Sequence, residues 1–295
     1  MERSDFISYD LEKMITANQV PTVDAVASHY DELDRFYRAI WGEHIHHGIW
    51  ITGKETQQQA VRKTIDLVAK KAEITTDSLV CDVGCGYGGT ARVLVQEYGA
   101  KVTGFTVSQA QMDYALSVRK NPDNPKIFQM DWMQNQLPES AFDSVIAIES
   151  SEHMADKSKF FSECFRVLKP GGGLVICAWL SKENPSPWER KYLLEPICTE
   201  GRIPSLGSMS DYKNFYTESG FRFADCEDYS QNVKKTWSLT ILGTAKHLLT
   251  KPKDLAYLLD GNKLNREFAL TQFRLRLAFE TGAMRYGIFK GTKSG

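Results

Sequence analysis

The 295 residues contain no CxxC pair, no stretch approaching the roughly 18 apolar residues of a membrane span, no internal repeat, no low-complexity tract and almost no net charge. Cys81, Cys85, Cys164, Cys177, Cys198 and Cys226 are scattered through mostly apolar surroundings. The spacing of the first two fits neither a redox nor a zinc pair, so the six read as reduced core thiols of a cytoplasmic protein. The opening stretch MERSDFISYDLEKM carries charge where a signal peptide needs its apolar run. With 36 basic and 37 acidic residues, the chain has no overall field to hold a phosphate backbone or an anionic membrane. Nucleic acid is therefore not an expected partner, and the expectation is a soluble intracellular protein with no integral membrane segment. The oligomeric state stays open.

What is present is alternation. From about residue 79, short β-rich apolar runs alternate with helical patterns, the form taken by a parallel sheet covered on both faces. Strands are expected at 79–83, 101–106, 126–131, 142–149 and 174–180. In VLKPGGGLVICAWL, Pro170 and three glycines should end a helix that begins near Lys157 and lead into the fifth strand. FRFADCEDYS and MRYGIFKGTK look like a final hairpin pair. The expected fold is α/β, a doubly wound Rossmann-like sheet of seven strands. Residues 1–72 form an N-terminal helical lid in this reading, and 73–295 the main domain, with helical insertions at about 181–219 and 231–282. Within the second insertion, Leu264, Phe268, Thr271, Leu275 and Phe279 fall on one helix face and read as core.

The loop VCDVGCGYGGTARVL satisfies two patterns. Gly84, Gly86 and Gly89 make a G-x-G-x-x-G dinucleotide fingerprint, while Asp82 to Gly88 make D-x-G-x-G-x-G. The discriminator is Asp82, a carboxylate at the strand end. It would oppose the diphosphate of a dinucleotide, but would order the cationic amino-acid end of S-adenosylmethionine, which carries an ammonium, a sulfonium and no phosphate. A nicotinamide enzyme usually offers an acid to the ribose at the end of the next strand. VTGFTVSQAQ has Thr106 and Gln111 there, able to bind hydroxyls without charge, with Ser108 as a helix N-cap. The third strand ends in FQMDW, where Asp131 can accept from an adenine amino group and Trp132 can lie against the ring. Beyond the fourth strand, FDSVIAIESSEHM places Glu149 and His153 on the same sheet edge, facing whatever sits beside the cofactor's methyl.

These stretches, with GFTVSQAQ, IESSEHMADK and VLKPGGGLVI, resemble class I S-adenosylmethionine-dependent methyltransferases. FYRAIWGEHIHHGIW, ERKYLLEPIC and MRYGIFKGTK make the chain similar to the tocopherol, sterol and cyclopropane-fatty-acid methyltransferase grouping, above all the tocopherol type, from about residue 29 onward. The resemblance implies that Asp82, Gly84, Gly86 and Gly88 contact the cofactor's amino-acid portion, with Cys85 in the same loop. It also implies that Thr106 and Gln111 hold the ribose, Asp131 and Trp132 the adenine, and that Tyr30 and Tyr37 lie in the segment closing over the cofactor. The chain departs at Ser151, where tocopherol-type enzymes tend to have glycine, and at Ala155, where they tend to have proline, and no plastid-type transit segment is expected ahead of the domain. Those departures bear on the acceptor.

His44, His46 and His47 are too closely spaced for three ligands on one helix face and lack the acid of H-E-x-x-H. They read as a polar wall or as fasteners of the lid beside Trp41 and Trp50, and no metal is expected. His153 is the candidate base, with Glu149 orienting it or stabilising positive charge and counted with the cofactor-binding residues as well. The expected acceptor is small and apolar, lined by Trp188, Tyr192, Leu193, Leu194, Ile197, Phe215, Tyr216 and Trp237: an isoprenoid or prenylated aromatic methylated on carbon. The alternatives are N- or O-methylation of an alkaloid, polyketide or other natural product, and, from another class, a nicotinamide-dependent oxidoreductase. A nucleic-acid methylase is disfavoured because IESS stands where Asn/Asp-Pro-Pro-aromatic would be.

Overall fold

The computed structural model describes residues 14–261 and 266–295. Among them the apolar runs form β1 Leu79–Val83, β2 Lys101–Thr106, β3 Lys126–Gln129, β4 Phe142–Ile148, β5 Leu168–Ser181, β6 Phe221–Asp228 and β7 Met284–Lys293. These seven strands make one sheet in the order β3-β2-β1-β4-β5-β7-β6. It is parallel from β3 through β5 and antiparallel where β7 pairs with β5 and β6. Central β1 buries Val80, Cys81 and Val83 completely, so its sequence is apolar except for Asp82 and does not alternate. Connections leave β1 and β4 in opposite directions along the sheet, which opens a crevice beyond their carboxyl ends.

Three strand boundaries and one connection differ from expectation. β3 stops at Gln129 because Asp131 turns the chain, its carboxylate accepting from the Met133 amide at 2.9 Å. β4 stops at Ile148 because Glu149 takes a left-handed φ of 53°. β5 starts at Leu168 because Leu168 already pairs with Phe142, and the Pro-Gly-Gly-Gly run, with Gly171 at a left-handed φ of 80°, falls inside the strand at a register shift before Ser144. β6 and β7 do pair, but helices intervene between them and β7 inserts beside β5, pairing from Gly173–Thr292 to Ser181–Met284.

Helices Gln57–Lys71, Gly89–Tyr98 and Gln109–Val118 cover one face of the sheet, and Lys157–Val167 and Met209–Glu218 the other. Thr56 caps the first of these in a reciprocal box with Gln59. Val61, Ile65 and Val68 of that helix lie in the sheet's own core, although the expected lid boundary was 72. The helix that does lie over the crevice is Val23–Ile40, whose buried stripe is Val26, His29, Leu33, Phe36 and Tyr37. Asp31 fastens it by accepting from the Ser108 hydroxyl at 2.5 Å and the Ala110 amide at 3.1 Å. The Tyr87 hydroxyl donates to Asp34 at 2.8 Å. Helices Lys235–Thr250, Pro252–Leu259 and Phe268–Thr281 complete this side. Thr271, Leu275 and Phe279 are buried as expected, while Leu264 and the Phe268 side chain lie outside what is described. Among the described residues no helix is long and apolar enough to cross a membrane.

Candidate active site

The chain leaves β1 through Gly84, Gly86 and Gly88, whose φ values are 79°, 54° and 69°. A Cβ on Gly84 would lie 2.2 Å from the Ser150 Cβ, whereas one on Gly86 meets nothing within 4 Å. Both glycines border a cavity of about 380 Å³ that Tyr30, Thr106, Gln111, Asp131, Trp132, Glu149 and His153 also line. Inside it, the Thr106 hydroxyl donates to Gln111 Oε1 at 2.6 Å, and Ser108 caps the following helix by accepting from the Gln111 amide. Behind the loop, Asp82 is 2% exposed and its Oδ2 has no hydrogen-bond partner in the protein. Burial pushes this carboxyl up to about 7. A buried carboxylate oxygen left without a donor suits a cationic group and opposes a phosphate, so the residues present fit S-adenosylmethionine. Trp132 is likewise buried, with its indole N–H unpartnered.

Tyr30, Ile45, Glu149 and His153 also wall a second, smaller cavity, completed by Tyr37, Trp41, Glu152, Gly201, Ile203 and two indoles, Trp179 and Trp237. A third pocket shares Tyr37 and Trp41 with it and continues between the helix Val23–Ile40 and the C-terminal helices, past Leu33, Phe36, Ile40, Thr244, Leu258 and Gln272. The three cavities thus adjoin through shared walls, running from the glycine loop to the helical cap.

Glu149 is held by four donors. Oε1 accepts from the His47 amide at 2.6 Å and the Tyr286 hydroxyl at 2.8 Å, and Oε2 from His47 Nδ1 at 2.9 Å and the Trp179 indole at 2.8 Å. Burial pushes its pKa up, but the His47 contacts outweigh burial and hold it below the ordinary carboxylate value. Glu149 therefore joins the His47 loop, β5 and β7, and does not orient His153. His153 has other partners: Nδ1 lies 3.0 Å from the Arg202 carbonyl and Nε2 2.9 Å from the Tyr30 hydroxyl. A carbonyl only accepts, so Nδ1 carries the proton and Nε2 accepts from Tyr30. Burial lowers His153 to about 4, which keeps the ring neutral near pH 7. Its turn is clamped by buried Lys157, whose Nζ donates to the carbonyls of Ser151, Glu152 and Met154 at 3.2, 3.3 and 3.1 Å.

Several expected site residues stand elsewhere. Gly88 caps the helix Gly89–Tyr98 and faces Arg92, Ala115 and Ile127, and the Cys85 side chain packs beneath Gly104, so neither lines the first cavity. Tyr37 borders the second and third cavities and bonds to His29 at 3.0 Å. Of the eight expected acceptor residues only Trp237 lines any of the three cavities. Trp188 and Tyr192 are about half exposed, at 51% and 53%, while Leu193, Leu194 and Ile197 fill the core. Phe215 and Tyr216 pack on the far sheet face against Phe161, because the helix carrying them crosses that face. Ser151 turns to the Tyr212 hydroxyl at 2.9 Å, and Ala155 lines the first cavity, so neither departure reaches the second. His46 and His47 are buried, and among the described residues no group of three His, Cys, Asp or Glu is placed to hold a metal. Trp179, Tyr286 and Lys157 lie in stretches that the sequence reading singles out, but nothing in one dimension shows that they meet Glu149 or the His153 turn, so it gives them no role.

The model of the mycolic acid cyclopropane synthetase family matches residues 17–282. Tocopherol O-methyltransferase of Arabidopsis thaliana is 31% identical over 284 residues, covering 89% of this chain and 80% of that protein. The 2-methyl-6-phytyl-1,4-hydroquinone methyltransferase of Synechocystis is 28% identical, covering 95% of this chain and 91% of its own. The solved structure of the cyclopropane synthase MmaA2 from Mycobacterium tuberculosis shares the fold, with a TM-score of 0.80 at 20% identity, covering 94% of this chain and 100% of that one. The chain belongs to the mycolic acid cyclopropane synthetase family and is a class I S-adenosylmethionine-dependent methyltransferase.

Proposed function

We propose that this enzyme methylates a carbon atom of an isoprenoid or prenylated aromatic acceptor. The second cavity carries the reading: its walls are aromatic, it contains the Glu149 carboxylate, and neither lysine nor arginine lines it. Such a site suits an apolar acceptor on which positive charge develops, because ring faces and a fixed carboxylate attract that charge. Relatives named for tocopherol, a phytyl-hydroquinone and sterols support the apolar acceptor class, while their names place the methyl on oxygen for tocopherol and on carbon for sterols.

From behind the glycine loop, outside the residues that line the first cavity, Asp82 would order the ammonium end of the cofactor, and Gly84 and Gly86 would admit it to close backbone contact. Thr106 and Gln111 would hold the ribose hydroxyls, and Asp131 and Trp132 the adenine. Bound there, S-adenosylmethionine supplies an electrophilic methyl group for in-line transfer. The helix Val23–Ile40 would act as the lid, with Tyr30 excluding water where the two cavities meet. His153 Nε2, reached directly or through the Tyr30 hydroxyl, would take the proton lost from the methylated carbon. A base near pKa 4 is matched to a cationic carbon acid and poorly matched to a phenol or alcohol, which favours carbon over oxygen.

The test is incubation with S-adenosylmethionine labelled in the methyl group, offering 2-methyl-6-phytyl-1,4-hydroquinone and a fractionated host lipid extract, followed by NMR of the labelled product. A new C-methyl on an apolar product is expected. Label on oxygen or nitrogen would favour the alternative that 27-O-demethylrifamycin SV methyltransferase, a relative from Amycolatopsis mediterranei, brings to mind. Label confined to the polar fractions would overturn the acceptor class.

A further inference from the structure

Three adjoining helices over the third pocket turn large apolar side chains outward. Leu242 and Leu249 on Lys235–Thr250 are 66% and 86% exposed, and Leu255 and Leu259 on Pro252–Leu259 are 41% and 72% exposed. Leu270, Phe273 and Leu277 on Phe268–Thr281 are 70%, 60% and 45% exposed. The spacings of seven, four, and three with four residues place each set on one helix face. Seven of the thirteen exposed large hydrophobics among the described residues therefore lie on this cap, whereas soluble monomers scatter them singly.

The cap is also basic. Residues 234–282 carry nine Lys and Arg against four Asp and Glu, so of the chain's 36 and 37 the remainder holds 27 and 33. The near-zero net charge is an average over a positive cap and a negative body. Lys246, Lys251, Lys253 and Arg276 are exposed beside the apolar residues. Beneath them, Thr244, Leu258 and Gln272, one from each helix, line the pocket that adjoins the aromatic cavity.

We propose that this helical face docks on a bilayer containing anionic lipid, its leucines and Phe273 entering the acyl boundary and its lysines meeting the headgroups. This rests on the reading that the acceptor is apolar and lipid-borne, since docking places the pocket between these helices against the acceptor's reservoir. A second copy of the chain is a poorer occupant, because a two-fold contact would set the same basic surplus against itself.

The experiment is co-sedimentation of the full chain with phosphatidylcholine vesicles, with and without about one-third phosphatidylglycerol. The chain should pellet with the anionic vesicles and be released as salt rises from about 0.1 M to about 0.5 M. The triple variant Leu249→Ser, Leu259→Ser, Phe273→Ser should lose about tenfold in vesicle affinity while retaining its melting temperature and S-adenosylmethionine affinity. Lys246→Glu, Lys251→Glu, Lys253→Glu gives the same readout should the first variant fold poorly. Failure to pellet with either vesicle, or undiminished pelleting of both variants, overturns docking. Light scattering that shows a dimer dissociated by these variants assigns the face to self-association and overturns it as well. None of these measurements involves an acceptor, so they can fail while the labelled-product experiment succeeds, and the reverse.

Discussion

The Tyr30 hydroxyl and His153 Nε2 meet at 2.9 Å across 123 residues of sequence, where the first and second cavities share a wall. One comes from the helix Val23–Ile40 and the other from the turn after β4, so the bond ties that helix to the sheet edge. His153→Ala should lower kcat by about 10²–10⁴-fold and leave S-adenosylmethionine affinity nearly unchanged, as read by single-turnover kinetics and calorimetry. Tyr30→Phe combined with it should add little, because the two act as a unit. An equal loss of turnover and cofactor affinity in His153→Ala would refute the assignment. With His153 at about 4, kcat should not fall between pH 8 and 6 on its account.

Cofactor binding should depend on pH through Asp82. Its carboxyl sits at about 7 because burial penalises the charge, and a bound cation favours the ionised form. Affinity should therefore tighten as pH rises from 6 to 8, with proton release visible as a buffer-dependent binding enthalpy. Asp82→Asn should abolish that dependence and weaken binding. Since the folded value lies above the unfolded one, ionised Asp82 destabilises the ligand-free fold as pH rises through 7, by an amount on the order of 2–4 kcal/mol. Asp82→Asn should accordingly raise the melting temperature of the ligand-free protein at pH 8, and by progressively less as pH falls towards the ordinary carboxylate value near 4.

Glu149 accepts from four groups, and an amide there would turn a donor towards two of them. Glu149→Gln should cost about 2–4 kcal/mol in denaturant melts at pH 7. Because the folded pKa is held below the ordinary value, the stabilisation is present above the unfolded pKa and is lost as pH falls through the folded one. The gap between wild type and variant should close in acid. A constant gap down to pH 3 would mean that the carboxylate charge contributes nothing.

Two loop glycines should fail differently. Gly84→Ala forces a Cβ into Ser150, so the protein should express poorly or melt early. Gly86→Ala has open space and only the left-handed strain of about 1–2 kcal/mol, so it should fold and lose cofactor affinity. Calorimetry alongside thermal melts separates the two outcomes.

The sequence by itself determined the parallel part of the sheet, the glycine loop and the acid before it, because strand periodicity, turn glycines and strand-end polarity are local properties that short stretches encode. Ser108 as an N-cap was legible for the same reason. Tertiary structure decided what meets what. No spacing rule pairs Glu149 with His47, Trp179 and Tyr286, which arrive from three separate segments, or withdraws Phe215 and Tyr216 to the far face while admitting Trp237. Aromatic residues in an insertion look alike in one dimension, and only packing sorts them into core, surface and cavity wall. The cap's charge was countable in the chain, but its coincidence with outward leucines became visible once three helices were folded side by side.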